Sequence, residues 1–109
     1  MELATAPIGA RVTFAEERMP YTVQARSERY LVCTKPFAPQ KTVIYTVVDL
    51  DRGIRGPENL VFGFGAETRE QCEDMLDRLE GRADYKCDPS EVSYRNHIPV
   101  HVAKVKLPT

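Results

Sequence analysis

The clearest candidate for chemistry in this sequence is a row of carboxylates between residues 67 and 81. Four of them recur at intervals of three and four residues, which places side chains on one face of a helix. They are Glu70, Glu73, Asp74 and Asp77. Such a face could dock a basic partner or imitate the phosphate backbone of a nucleic acid. The alternative is a solvated helix surface, since exposed charge is common on helices.

A second group combines basic and aromatic side chains along two predicted strands and the hairpin between them. Its members are Tyr21, Arg26, Arg29, Tyr30 and Lys35. Small barrels bind single-stranded nucleic acid through such a face, because aromatic rings stack on bases while Arg and Lys follow the phosphates. The alternative places both tyrosines in the core and leaves the arginines to keep a hairpin soluble. A net charge of −1 lacks the usual electrostatic footprint of a nucleic-acid-binding protein and favours this alternative.

Two polar loops supply further candidates for contact with a partner protein. Arg55, Glu58 and Asn59 surround a predicted turn after the central strand, and Arg95, Asn96 and His97 precede the last strand. Binding residues are often found on loops, because loops run over the protein surface. We therefore expect a partner to contact these loops together with the acidic helix.

Neither a cofactor nor a metal site is expected. Residues 63–65 read Gly-Phe-Gly between a strand and a helix, but Thr68 stands where a dinucleotide-binding loop needs its third glycine. His97 and His101 flank Pro99, which excludes the helix that would bring both imidazoles to one metal ion. No Ser/His/Asp or Cys/His arrangement indicates a nucleophile, so we expect no catalytic residue and no enzymatic activity.

Length and composition are those of one ordinary globular domain. The chain has 109 residues, of which 42% are hydrophobic and 28% charged, and this allows one modest core. Three cysteines without a CxxC motif (Cys33, Cys72 and Cys87) and an N-terminus without a secretory pattern indicate a reducing compartment. No apolar run approaches the roughly 20 residues that span a bilayer. We expect a cytoplasmic protein without membrane contact. The sequence indicates no particular oligomeric state.

Alternating apolar residues predict an antiparallel sheet in the first part of the chain. The strands are expected at residues 10–14, 21–25, 29–34, 42–50 and 60–64, within a region of strands that spans 8–64 and follows a loose lead-in at 1–7. In the second strand, Tyr21, Val23 and Ala25 should all point inward. Pro36 and Pro39 exclude a ladder before the fourth strand and predict a loop or an edge crossing, because proline cannot donate to a ladder.

Residues 42–50 should form a central strand that is apolar on both faces. One face is expected to pack against a single helix at residues 68–81. Thr68 and Gln71 form a capping box at its start, and Gly81 supplies the C-terminal stop. The apolar stripe that faces the sheet consists of Cys72, Met75, Leu76 and Leu79.

The expected fold class is therefore mainly β with one helix, in a single domain. A connector at residues 82–90 and a closing strand at 91–105 follow the helix. Short spacing between strands and one late helix indicate a small antiparallel SH3-like barrel, capped by the amphipathic helix. A flatter α+β sheet with one helix across it is the alternative.

Several stretches of the chain also resemble a known family. They are GARV at residues 9–12, YTVQARSERYLVCTKPF at 21–37, VIYTVVDL at 43–50, RGPENLVFG at 55–63 and VSYRNHIPV at 92–100. Together with the helix they resemble short, uncharacterised proteins encoded in bacteriophages and integrative mobile elements. The resemblance carries no assigned catalytic residues. It implies an accessory protein that acts by binding a host or defence component.

The expected function is a non-enzymatic binding module of a mobile element that works through protein–protein contact in the host cytoplasm. An inhibitor of a host defence system, such as an anti-CRISPR protein, is one concrete version. The alternative is a nucleic-acid-binding barrel that uses Arg26, Arg29, Tyr30 and Lys35.

Overall fold

The computed structural model describes residues 3–37, 42–56, 68–81 and 98–108, which are mainly β with one helix. A short 3-10 helix, Leu3–Thr5, comes first. The elements that follow are β1 (Arg11–Phe14), β2 (Tyr21–Arg26), β3 (Tyr30–Phe37), β4 (Thr42–Asp49), β5 (Ile54–Gly56), α1 (Arg69–Leu79), β6 (Ile98–Pro99) and β7 (Val102–Lys106). The strands form one antiparallel sheet in the order β6-β5-β4-β3-β2-β1-β7. The expected fold class is confirmed.

Residues 98–106 join the two edges of this sheet. β6 pairs with β5 and β7 pairs with β1, although only Val100 and His101 separate β6 from β7 in the chain. The Val100 N–H donates to the Gly53 carbonyl at 2.9 Å, and the Ala15 N–H donates to the His101 carbonyl at 2.7 Å. Because one short segment pairs with both edges, the sheet must curl. This is the predicted closing strand; its predicted part before residue 98 lies outside the described residues.

The curled sheet separates two hydrophobic cores. The core on the helix side contains Ala25, Tyr30, Val32, Val47, Cys72, Met75, Leu76 and Leu79. The inner core contains Leu3, Ala6, Ala10, Val12, Phe14, Tyr21, Val23, Leu31, Cys33 and Val48. Strand β4 pairs with β3 over its full length and contributes Val47 to the first core and Val48 to the second. The prediction that β4 is covered on both faces is confirmed.

A β-bulge in β2 changes which face its residues occupy. Val23 lies opposite Cys33 and faces the inner core, whereas Ala25 lies opposite Val32 and faces the helix. The extra residue at Gln24 shifts the alternation by one position. Tyr21, Val23 and Ala25 are all buried as predicted, but the expectation that they share one face is wrong for Ala25.

Strand β3 continues through Pro36, where the sequence predicts a loop or an edge crossing and no ladder. Pro36 lies opposite Val43 in the ladder with β4, so the expectation is wrong at this position. The ladder between β3 and β2 ends at Thr34, which leaves Pro36 with a neighbouring strand on one side only. The missing N–H of proline can face the side without a partner, as on an edge strand. The part of the predicted loop at Pro39 lies outside the described residues.

Helix α1 begins and ends as the sequence predicts. The Gln71 N–H donates to the Thr68 hydroxyl at 3.1 Å, and the Thr68 N–H donates to the Gln71 side chain at 3.3 Å, which completes the capping box. Gly81 follows the helix with φ of 74°, a left-handed conformation that ends many helices. The predicted stripe, Cys72, Met75, Leu76 and Leu79, is at most 6% exposed. Each large side chain in it contributes about 1.5–3 kcal/mol of burial free energy.

The N-terminal segment is packed, which contradicts the loose lead-in expected at residues 1–7. Leu3 is 8% exposed and Ala6 is fully buried, and both belong to the inner core. The Arg26 guanidinium donates to the carbonyls of Ala4 and Ala6 and holds the segment against β2. The expectation is therefore wrong from residue 3 onward.

Candidate functional site

Helix α1 presents three carboxylates to solvent. Glu70, Glu73 and Asp74 are exposed and project away from the buried stripe. Because the stripe fixes the helix on the sheet, these carboxylates are held at defined positions relative to one another. Three negative charges within two helical turns create a region of negative potential on the surface. We call Glu70, Glu73 and Asp74 the acidic face.

The far end of the helix is tied to the sheet and is less available. Asp77, the fourth predicted acid, is half-buried and has an interaction of its own. Glu80 accepts a hydrogen bond from the Ser27 hydroxyl, and the Ser27 oxygen accepts the Tyr30 N–H at 3.1 Å. These bonds connect the helix to the turn between β2 and β3. Asp77 therefore lies at the margin of the acidic face.

The tyrosines of the basic and aromatic group are core residues. Tyr30 is 2% exposed and Tyr21 is 4% exposed. They lie in different cores, Tyr30 on the helix side and Tyr21 inside the curl. Rings buried on opposite faces of a sheet cannot stack on successive bases of one strand. The alternative that both tyrosines are core residues is confirmed.

Arg29 is engaged with a buried carboxylate at the end of β4. Its Nη2 and Nε lie 3.1 and 3.3 Å from the two oxygens of Asp49, in a bidentate pair. Asp49 is 2% exposed, and it also accepts the N–H groups of Asp51 and Arg52 at 3.1 and 3.2 Å. Asp49 therefore holds the turn between β4 and β5, and Arg29 balances its charge.

The remaining basic candidates are also engaged within the fold. The Lys35 Nζ lies 2.7 Å from a Glu17 carboxylate oxygen and 4.7 Å from the centre of the Tyr21 ring. Arg26 binds the N-terminal segment as described above. The structure therefore does not bring Arg26, Arg29, Tyr30 and Lys35 together as one exposed surface.

Arg55 lies in β5 and is almost covered, with a side chain that is 7% exposed. Its Nη2 lies 2.6 Å from Glu16 and 2.7 Å from Glu17. The guanidinium carbon is 4.1 Å from the centre of the Phe14 ring, within range of a cation–π interaction. The expectation that Arg55 lies on an exposed loop is wrong, because two carboxylates and an aromatic ring hold it inside the sheet.

The structure brings together a polar cluster that the sequence does not predict. Its members are Glu16, Glu17, Tyr21, Lys35 and Arg55. Burial acts to raise the pKa of Glu17, but the Lys35 hydrogen bond and the Arg55 charge outweigh burial and lower the pKa. The Arg55 hydrogen bond lowers the pKa of Glu16. Burial, with the charge of Glu17, raises the pKa of Tyr21 to about 12. At neutral pH the cluster therefore holds two carboxylates, two cations and a neutral phenol, and its charges balance.

The polar cluster leaves no local signal in the sequence. Glu16 and Glu17 stand in a charged stretch that predicts only a loop, and Arg55 follows Glu17 by 38 residues. Only the closure of the sheet brings them together. The other loop candidates, Glu58, Asn59, Arg95, Asn96 and His97, lie outside the described residues.

Chemically reactive groups are not evident in the described part of the chain. Cys33 and Cys72 are buried free thiols, and burial raises the pKa of Cys33 to about 12. A thiol that stays protonated at neutral pH is a poor nucleophile. Within residues 3–37, 42–56, 68–81 and 98–108, no three His, Cys, Asp or Glu side chains are placed to hold a metal ion.

The comparisons with known proteins identify no relative of this chain. No protein-family model matches it, and neither a curated protein nor a solved structure does. No helix among the described residues has both the length and the apolar character that crossing a bilayer requires. Function therefore has to be inferred from the geometry and charge of the residues above.

Proposed function

We propose that this protein is a non-enzymatic binding module that docks on a basic surface of a partner protein. Glu70, Glu73 and Asp74 of the acidic face supply the contact. One observation carries the proposal: these carboxylates are exposed on a helix whose other side is buried against the sheet. A helix already fixed in place loses little further conformational freedom on binding, so the entropic cost of docking is small.

The other charged groups support this choice of surface. Arg26, Arg29 and Lys35 already have partners within the fold, as does Arg55 in the polar cluster. Arg29, Lys35 and Arg55 pair with carboxylates, so their charges are largely compensated before any ligand arrives, while the Arg26 guanidinium is held by backbone carbonyls. The acidic face is exposed and carries charges of one sign, which is the arrangement that steers an oppositely charged partner into contact.

The setting that we propose is a bacteriophage or an integrative mobile element. The proposed partner is then a host or defence protein in the cytoplasm of the infected cell. An anti-CRISPR inhibitor is the concrete version. Effector complexes of the Cas9 type hold nucleic acid in a positively charged channel, and an acidic helix can compete for such a channel.

Capture of purified CRISPR effector complexes on the immobilised full chain tests the proposal. The double variant Glu73→Lys with Asp74→Lys should weaken capture about ten-fold or more, because it replaces attraction at the contact with repulsion. Glu28→Lys is the matched control, since Glu28 is also exposed but lies in the turn between β2 and β3. Capture should also weaken as salt is added. Circular dichroism should show the same folded spectrum for all variants.

Three results would count against the proposal. If the double variant is captured as well as the wild type, or if Glu28→Lys loses as much affinity, the acidic face is not the contact. If no effector complex is captured at all, the anti-CRISPR version is wrong.

A further inference from the structure

Two positive side chains face each other across β1 and β7. Arg11 lies directly opposite Lys106 in the antiparallel ladder, so both project from the same face of the sheet. The next pair, Val12 and Val105, projects from the other face, where Val12 is fully buried in the inner core. Arg11 and Lys106 therefore project from the outer face, and both are exposed. Lys104, two residues away along β7, adds a third charge to that face.

This arrangement is unfavourable unless an anion lies near it. Like charges directly opposite each other on neighbouring strands destabilise the pairing. Among the residues that the structure describes, the side chains of Arg11, Lys104 and Lys106 form no hydrogen bond or ion pair. Lys35 and Arg55 differ in this respect, because each lies within 2.7 Å of a carboxylate oxygen. Within the described part of the chain, no carboxylate therefore compensates the charges on β1 and β7.

A pocket lies beside these cations. It has a volume of about 280 Å³ and is lined by Gly9, Arg11, Lys106, Leu107 and Pro108. Gly9 has φ of 92°, and a β carbon at this position would be 3.4 Å from the Pro108 side chain. The left-handed φ is what favours glycine here, since a β carbon at 3.4 Å would make only an ordinary van der Waals contact with Pro108. Most of the exposed surface that lines the pocket is polar, as suits a charged ligand, and Leu107 and Pro108 supply its apolar part.

We propose that this pocket binds a small phosphorylated molecule, with its phosphate or pyrophosphate group between Arg11 and Lys106. Arginine suits phosphate through its paired N–H donors, and lysine suits it as a point charge. A dianionic phosphate neutralises both cations, while Leu107 and Pro108 contact the organic part of the ligand. The volume fits a compact molecule, since pockets for drug-sized ligands begin at about 300 Å³. This inference does not depend on the proposed partner protein, because the acidic face lies on α1.

Calorimetric titration of the full chain with pyrophosphate at low ionic strength tests the site. The wild type should bind. Arg11→Gln and Lys106→Gln should each weaken binding by about ten-fold or more, which is the contribution of a hydrogen bond to a charged group. Arg69→Gln is the matched control, because it removes an exposed arginine on α1 and should leave the affinity unchanged. Changes in amide chemical shift should be largest at Gly9 and Leu107.

The opposite results would overturn the proposal. They are no binding of pyrophosphate by the wild type, or an equal loss of affinity in Arg69→Gln. Thermal unfolding without ligand separates binding from folding: Arg11→Gln and Lys106→Gln should unfold at the wild-type temperature or above, since repulsion is removed. A lower transition temperature in both would show that the two cations are structural and would also overturn it.

Vesicles of phosphatidylcholine with phosphatidic acid separate two sources of the phosphate. If the chain binds these vesicles and pyrophosphate displaces it, the pocket also accepts a lipid headgroup and the proposal holds. If the chain binds vesicles that pyrophosphate cannot displace, while free pyrophosphate causes no shift at Gly9, the pocket is not the phosphate site.

Discussion

At the scale of single residues, the polar cluster explains how a charged side chain becomes part of the interior. Arg55 is covered because Glu16 and Glu17 approach it from the turn after β1, and because the Phe14 ring lies against its guanidinium. A buried ion costs several kcal/mol without a partner, so the group is stable only as a set. Removing one member leaves the others partly buried and uncompensated.

Substitution of Arg55 should therefore be strongly destabilising. Arg55→Ala should lower the free energy of unfolding by roughly 2–4 kcal/mol. Arg55→Lys should lose less stability than Arg55→Ala, because lysine keeps the positive charge. It should still be less stable than the wild type, because lysine lacks the planar fork that reaches two carboxylates at once. Urea denaturation measures both, with Arg69→Ala as an exposed control that changes stability by less than about 0.5 kcal/mol. Equal losses for the alanine and lysine variants would contradict the explanation.

The lowered pKa of Glu17 predicts a loss of stability in acid. A carboxyl whose folded pKa lies below the ordinary value of 4.5 contributes stability above that pH, and the contribution disappears as the pH falls through the folded pKa. In the Glu17→Gln variant the side chain at this position is an amide, which does not ionise. The difference in melting temperature between wild type and Glu17→Gln should therefore be constant near neutral pH and shrink below pH 4.5. A difference that grows in acid would refute this assignment.

The opposed cations on β1 and β7 predict a stabilising substitution. Lys106→Glu places a negative charge directly opposite Arg11 and should raise the free energy of unfolding by about 0.2–1 kcal/mol at low salt. High salt should reduce the gain, since the pair is exposed. Lys104→Glu is the matched control. Lys104 lies opposite Thr13, which carries no charge, so this substitution should raise the free energy of unfolding by less. Urea denaturation at two salt concentrations measures both; a larger gain for Lys104→Glu would be inconsistent with the register.

At the scale of elements, the sequence predicts well those features that depend on residues close together in the chain. The capping box and the stripe of α1 depend on contacts within a few turns, so the helix and its exposed acids are predictable. The bulge at Gln24 and the pairing of Pro36 depend on which strand lies alongside, and alternation alone does not contain that information. The sequence places Arg55 in a loop for the same reason: its partners lie in β1 and in the turn after β1, which are distant in the chain.

Three substitutions in and beside α1 compare how much core burial, N-capping and the acidic face contribute to stability. Met75→Ala should lower the free energy of unfolding by about 2–5 kcal/mol, because Met75 is fully buried in the core on the helix side. Thr68→Ala removes the N-cap and should cost about 1 kcal/mol. Glu73→Ala, on the exposed side, should change stability by less than about 0.5 kcal/mol. Urea denaturation gives the order, and a loss at Glu73 as large as at Met75 would mean that the acidic face is structural.

At the scale of the whole molecule, the inner core is enclosed by parts of the chain that are far apart in sequence. The N-terminal segment covers one side of it through Leu3 and Ala6. Residues 98–106 pair with both β1 and β5, and they bring the C-terminal residues against Gly9. The closing strand therefore completes the fold and also forms the proposed phosphate pocket.

Removal of the closing strand should consequently open the sheet at both edges. A chain that ends at residue 97 leaves β1 and β5 without the partners that β7 and β6 provide. Unpaired edges favour association between chains, so this variant should have a lower unfolding free energy and should self-associate. A chain that ends at Lys106 is the matched control, because it retains β7 but lacks the last three residues. Light scattering and amide hydrogen exchange of β1 distinguish them. If the shorter chain stays monomeric with protected β1 amides, then β1 and β5 do not need residues 98–106, and the curl is maintained by the two cores alone.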